Sequence, residues 1–147
     1  MSEITVLPGQ LAEVVIRGVL EHAPDGIIVI NADGVILLAN AHVMELFGYS
    51  RRELVGANIE VLVPEAQRIG HVTDRNRYFA GPKKRPMGFG LRINGRRKNG
   101  DTIPVEISLG PIETDTGILA VAFIREDLGR YRRDFDDRNQ AAEKAGA

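Results

Sequence analysis

The 147-residue chain has no cysteine and no tryptophan, and aromatic residues make up only 5% of it. Without a thiol it can form no disulfide, cysteine-ligated zinc site, iron–sulfur cluster, cysteine nucleophile or thiol-linked cofactor. It also lacks an excess of charge of either sign. Nineteen basic residues face twenty acidic ones, for a net charge of −1. Bulk charge therefore gives no reason to expect nucleic acid or an anionic membrane as partner. Long apolar runs are absent too. The longest, Ile27–Ile30, Val35–Ala39 and Ile118–Ile124, fall far short of the ~20 residues that span a bilayer. The opening Met1-Ser2-Glu3-Ile4-Thr5 has no basic stretch leading into an apolar one, so no secretory leader is expected. A cytoplasmic protein is the resulting expectation. There is no G-x-S-x-G, Walker loop, H-E-x-x-H or kinase signature, and no zinc or calcium motif, so no enzyme is expected.

Apolar content of 44% and charged content of 27% suit one ordinary soluble domain with a core of its own. Residues 1–9 read as a flexible leader. From Gln10 to Ala23, Leu11, Val15 and Val19 recur at i, i+4, i+8, widened by Val14, Ile16 and Leu20, which predicts a helix that Pro24 ends. Ile27–Ile30 and Val35–Ala39 flank an Asp33-Gly34 turn and predict a β-hairpin. Asn40 is placed to cap a helix Ala41–Phe47 that Gly48 stops. Ser50-Arg51-Arg52-Glu53 has the capping-box pattern. Pro64 suits the first turn of a helix running to Phe79.

The rest reads as strands. Met87, Phe89, Leu91 and Ile93 alternate with polar or small residues. Ile103, Val105, Ile107 and Leu109 do so again after an Asn99-Gly100 turn. Ile118–Ile124 predicts a central strand covered on both sides, with Ile107 and Val121 buried. Asp127–Ala145 predicts a final polar helix. The fold class is therefore α+β, with helices packed on one side of an antiparallel sheet.

Several motifs in this order resemble the PAS domain family. They are Asp25-Gly26-Ile27-Ile28-Val29, then Ala39-Asn40-Ala41 with Leu46-Phe47-Gly48-Tyr49-Ser50 and Glu53-Leu54-Val55-Gly56. Gly95–Gly100 follows, then Ile103–Ser108, and finally Phe123–Leu128. The resemblance covers Leu11 to Asp127. It implies five antiparallel strands with flanking helices around a pocket, with a PAS domain over 10–127 and a signalling or linker helix over 128–147. It further implies a sensory module that dimerises and signals to a histidine kinase or other output module, as in two-component systems, with Asp127 as the signalling aspartate.

The same resemblance implies candidate ligands. Gly56-Ala57-Asn58-Ile59 lies where light-sensing relatives carry Gly-x-Asn-Cys, so the flavin-adduct cysteine is replaced by Ile59. His71 stands where haem-binding oxygen sensors place their axial histidine, with Arg77 and Tyr78 also matching, whereas Leu91 replaces a distal arginine. Haem with His71, Arg77 and Tyr78 is thus the alternative to a cofactor-free domain. On a helical wheel, Ile69, Val72, Asn76 and Phe79 share one arc and His71 lies opposite, toward solvent. The low aromatic content favours a closed aliphatic interior. Glu106 falls on the polar side of its strand. Lys83-Lys84-Arg85, Arg96-Arg97-Lys98 and Arg130/Arg132/Arg133 read as solvated basic groups. His22 and His42 have no ligand-like spacing. The wide apolar surface of the first helix predicts a homodimer interface through Leu11, Val15 and Val19. Leu128, Tyr131 and Phe135 add a weak seam that Arg138 and Ala142 continue poorly.

Overall fold

The structure, a computed structural model, describes residues 8–83 and 93–129. The strand expected over Met87–Leu91, Lys84, Arg85 and most of the final helix lie outside the described residues. Helix α1 (Gly9–His22) leads into strands β1 (Gly26–Ile30) and β2 (Ile36–Ala39). Helices α2 (Ala41–Phe47), α3 (Arg51–Leu54) and α4 (Arg68–Ala80) follow, with 3-10 turns at Ile59–Leu62 and Glu65–Gln67. Strands β3 (Ile93–Arg96), β4 (Thr102–Thr114) and β5 (Gly117–Glu126) complete the chain. All neighbouring strands are antiparallel and the sheet order is β2-β1-β5-β4-β3.

The first strand pair is held by its turn. Asn31 accepts from the backbone N–H groups of Asp33 and Val35, both at 3.0 Å. Gly34 sits at φ +82°, a conformation that L side chains rarely adopt. Register then shifts between Val29 and Ile30. Val35, whose carbonyl accepts from Asn31 N–H at 3.1 Å, also makes an isolated bridge to Asn58.

The helices start where local chemistry dictates. Asn40 accepts from Val43 N–H at the start of α2. Ser50 and Glu53 exchange hydrogen bonds across the start of α3, a complete capping box. The helix expected from Pro64 is broken into a 3-10 turn, Glu65–Gln67, before α4 begins at Arg68.

The core lies between the helices and one face of the sheet. Ile28, Ile36, Val43, Phe47 and Leu54 are fully buried, with Ile103, Val105 and Ile124 beside them. Gly95 is small for a steric reason. A Cβ there would lie 2.6 Å from Phe47 Cε1.

The two-sided cover expected for Ile118–Ile124 is not found among the described residues. β5 is central, but only Ala120 and Ile124 are buried in it, while Phe123 is exposed and Val121 is half-buried. Among the described residues helices cover a single face, so the continuous apolar run supplies side chains to an outer face that none of these helices covers. Ile107 is likewise half-buried.

Candidate functional site

Three groups of side chains stand out. The first joins the end of α1 to the sheet. Asn40, expected to be a cap, is a four-way junction with 1% of its surface exposed. Its Oδ1 accepts from Ile27 N–H at 2.9 Å and from Val43 N–H at 3.3 Å. Its Nδ2 donates to Leu20 O at 2.7 Å and to Asp25 O at 3.0 Å. Beside it, Arg51 Nη2 donates to Glu21 Oε1 at 2.6 Å and Arg51 Nε to Ala39 O at 3.2 Å. Between α1 and β2 runs a groove of about 450 Å³ lined by Ile16, Leu20, Leu38 and Ala39, with Glu13 and Arg17 at its rim.

The second group lies under α4. Glu60, on the 3-10 turn Ile59–Leu62, is buried and accepts from Arg75 Nη1. His71 Nδ1 stands 3.6 Å from the same oxygen. The Glu60 and Arg75 side chains are each 10% exposed. Glu60 Oε2 and Arg75 Nε have no hydrogen-bond partner among the described residues. Arg75 fills the space over the β1–β2 turn, where a Cβ on Gly34 would lie 2.0 Å from its Nη1. Asn58 ties the same two segments together, donating to Asp33 O at 3.1 Å and accepting from Glu60 N–H at 3.0 Å.

This corrects the helical-wheel reading of α4 in part: Val72 and Phe79 are half-buried as expected, but the rest of the arc is not. Ile69 is 85% exposed and Asn76 is exposed, whereas Tyr78 is buried and His71 and Arg75 are half-buried toward Glu60. The cause is electrostatic. A buried carboxylate requires a buried cation, and Arg75 takes the inward position that apolar spacing had assigned to its neighbours. The haem candidates are thereby separated. Arg77 is exposed while Tyr78 is buried, its ring edge-on to Phe79. His71 has a carboxylate behind Nδ1, as ligating histidines commonly do. The adjoining surface, however, is an ion pair with unsatisfied polar atoms, and an apolar macrocycle does not fit against it.

The third group is the outward stripe of α1. Leu11, Val15 and Val19 lie on it with Val14 and Ile16 at its flanks, all between 40% and 65% exposed, and no residue of α1 is buried. The exposed Phe123 and Ile112 lie on the uncovered face of the sheet.

Other candidates are placed without converging. Glu106 is half-buried and lies opposite Arg125 in the β4–β5 register. Lys98, at the β3–β4 turn, pairs with Glu53 at 2.7 Å. That contact and a hydrogen bond from Ser50 N–H hold the Glu53 carboxyl at about 2, against an ordinary 4.5. Asp127 donates its N–H to Pro104 O at 2.9 Å. Among the described residues no His, Cys, Asp or Glu cluster could hold a metal ion, and no helix is long and apolar enough to cross a membrane. The residues that sequence reasoning missed as a group are Glu60 with Arg75, and Glu21 with Arg51. Each pair is far apart in the chain, and no local spacing announces it.

The family model described as "PAS domain" matches residues 24–128. The sensor protein FixL of Bradyrhizobium diazoefficiens is 32% identical over 111 residues, 76% of this chain and 22% of that protein. The cell-division control histidine kinase PdhS of Brucella abortus is 26% identical over 135 residues, 88% of this chain and 12% of that one. The chain thus spans under a quarter of the length of either relative. Among solved structures, the PAS domain of an HTR-like protein from Haloarcula marismortui superposes with a TM-score of 0.68 at 22% identity, covering 80% of this chain and 93% of that one. With its five-stranded antiparallel sheet and flanking helices, the chain belongs to the PAS domain family and is similar to the PAS domains of sensor kinases.

Proposed function

We propose that this domain works as a cytoplasmic, non-catalytic signalling module. It pairs with a second copy through α1 and passes a change in ligand or partner state into the segment after Asp127. The observation that carries this reading is the outward stripe of Leu11, Val15 and Val19. Five large apolar side chains on a helix that buries none of its residues form the kind of surface that soluble monomers generally avoid. Two-fold pairing is the commonest way to cover one. The histidine kinase among its relatives makes a kinase the natural output module. Neither nucleic acid nor a membrane is a partner in this reading.

Signalling then requires two packings of the terminal segments on the sheet, biased by whatever binds. A small ligand in the interior is compatible with this scheme and not required by it. Haem on His71 has the resemblance behind it and the Glu60–Arg75 ion pair against it, so no step of the scheme passes through haem. The test is native mass spectrometry with an absorbance spectrum on protein purified as expressed. The expected result is a dimer mass without a Soret band. A Soret band that disappears in His71→Ala would replace this reading with the haem one.

A further inference from the structure

We infer that α1 is held by a detachable polar clasp at its last turn, and that the clasp sets where the apolar stripe points. The consequence for pairing rests on the homodimer reading; the clasp itself rests on hydrogen bonds. No residue of α1 is buried, so apolar packing contributes little to its position. Its N-terminus has no side-chain cap. Among the described residues, two side-chain hydrogen bonds tie α1 to the rest of the domain, both at its C-terminal turn: Asn40 Nδ2 to Leu20 O and Arg51 Nη2 to Glu21 Oε1. Beyond that turn the chain leaves the helix at Ala23 in the extended conformation that a following proline favours, and enters Pro24.

The two halves of the clasp differ in strength. Asn40 is buried and shared with β1 and α2, so it belongs to the core. Arg51 and Glu21 are 48% and 34% exposed, and such pairs are weak and screened by salt. An interaction that weak can open without unfolding anything else. A helix of 14 residues freed from its domain is marginal in water, so an opened α1 also frays. Opening would widen the groove over Ile16, Leu20, Leu38 and Ala39. The clasp adjoins the output end of the sheet, because Asp25, whose carbonyl Asn40 holds, also pairs with Arg125 of β5 at 3.5 Å.

Hydrogen exchange followed by mass spectrometry tests this in a Val15→Glu/Val19→Glu background, where pairing through the stripe cannot contribute. Arg51→Glu is expected to raise exchange of the α1 amides by roughly two- to five-fold, the scale of an exposed ion pair, with β1 and β5 unchanged. Arg51→Glu with Glu21→Arg is expected to restore the slower exchange. Unchanged α1 exchange in Arg51→Glu, or a double variant that stays open, would show that this pair does not hold the helix. Loss of protection in β1 and β5 in step with α1 would show that the clasp is part of the core and not detachable. Failure of the homodimer reading would appear separately, as a monomeric wild type, and would leave these outcomes intact.

Discussion

At the scale of single residues, Glu53 and the Glu60–Arg75 pair show opposite uses of charge. The carboxyl of Glu53 is solvent-exposed and its titration is pulled down to about 2 by Lys98 first and the Ser50 N–H second. A depressed carboxylate contributes stability above its unfolded value, and that contribution is lost as pH falls through the folded one. The α3 capping box and its link to the β3–β4 turn are therefore expected to weaken between about 4.5 and about 2. NMR titration of the Glu53 side chain checks this: Lys98→Ala should move the midpoint back toward 4.5, and an unmoved midpoint would rule out Lys98 as the cause. The Glu60 and Arg75 side chains are each only 10% exposed, and removing one partner strands the other. Arg75→Ala should cost roughly 3–5 kcal/mol, whereas His71→Ala, whose ring makes no hydrogen bond to Glu60 at 3.6 Å, should cost under about 1 kcal/mol. Denaturant titration separates the two. Equal losses would mean that His71 carries the Glu60 contact.

At the scale of elements, Asn40 decides how β1, α2 and α1 meet. Losing its cap costs roughly 0.5–2 kcal/mol, and each buried backbone group left unpaired adds about 1–3 kcal/mol. Asn40→Ala should therefore cost about 3 kcal/mol or more in thermal or chemical unfolding. A loss below about 1 kcal/mol would mean that water replaces the side chain. In the sheet, Ile28 is fully buried and Ile107 only partly so. Ile28→Ala should cost roughly 2–5 kcal/mol and Ile107→Ala clearly less. The reverse order would place the packed core at the wrong end of β4. Most elements were legible in the sequence because their signals are local: Asn40 and Ser50 at helix starts, Gly48 and Pro24 at helix ends, alternation through Ile103–Leu109. The inward face of α4 was not, because Glu60 lies fifteen positions from Arg75 and buried pairing outranks apolar spacing. The bare outer face of β5 was misread for a related reason. An apolar run does not say which of the two faces of its strand the helices cover.

At the scale of the whole molecule, the described residues form a sheet with helices on one face and a first helix, α1, that buries none of its residues. Leu11, Val15 and Val19 point away from the domain, while Glu13 and Arg17 on the opposite side line the groove facing β2. In the proposed pairing a second copy covers the stripe, which would give that helix its purpose and bring two copies of the sheet together ahead of an output module. The contrast between the two faces of α1 makes the claim specific. Charges on the stripe should abolish pairing, whereas Glu13→Lys with Arg17→Glu, on the groove side, should leave it intact. The most direct measurement is the solution mass by light scattering at tens of micromolar. The account predicts about twice the 16.1 kDa chain mass for the wild type and for the groove-side variant, and the single-chain mass for Val15→Glu/Val19→Glu. A monomeric wild type, or a dimer untouched by the two glutamates, would contradict it.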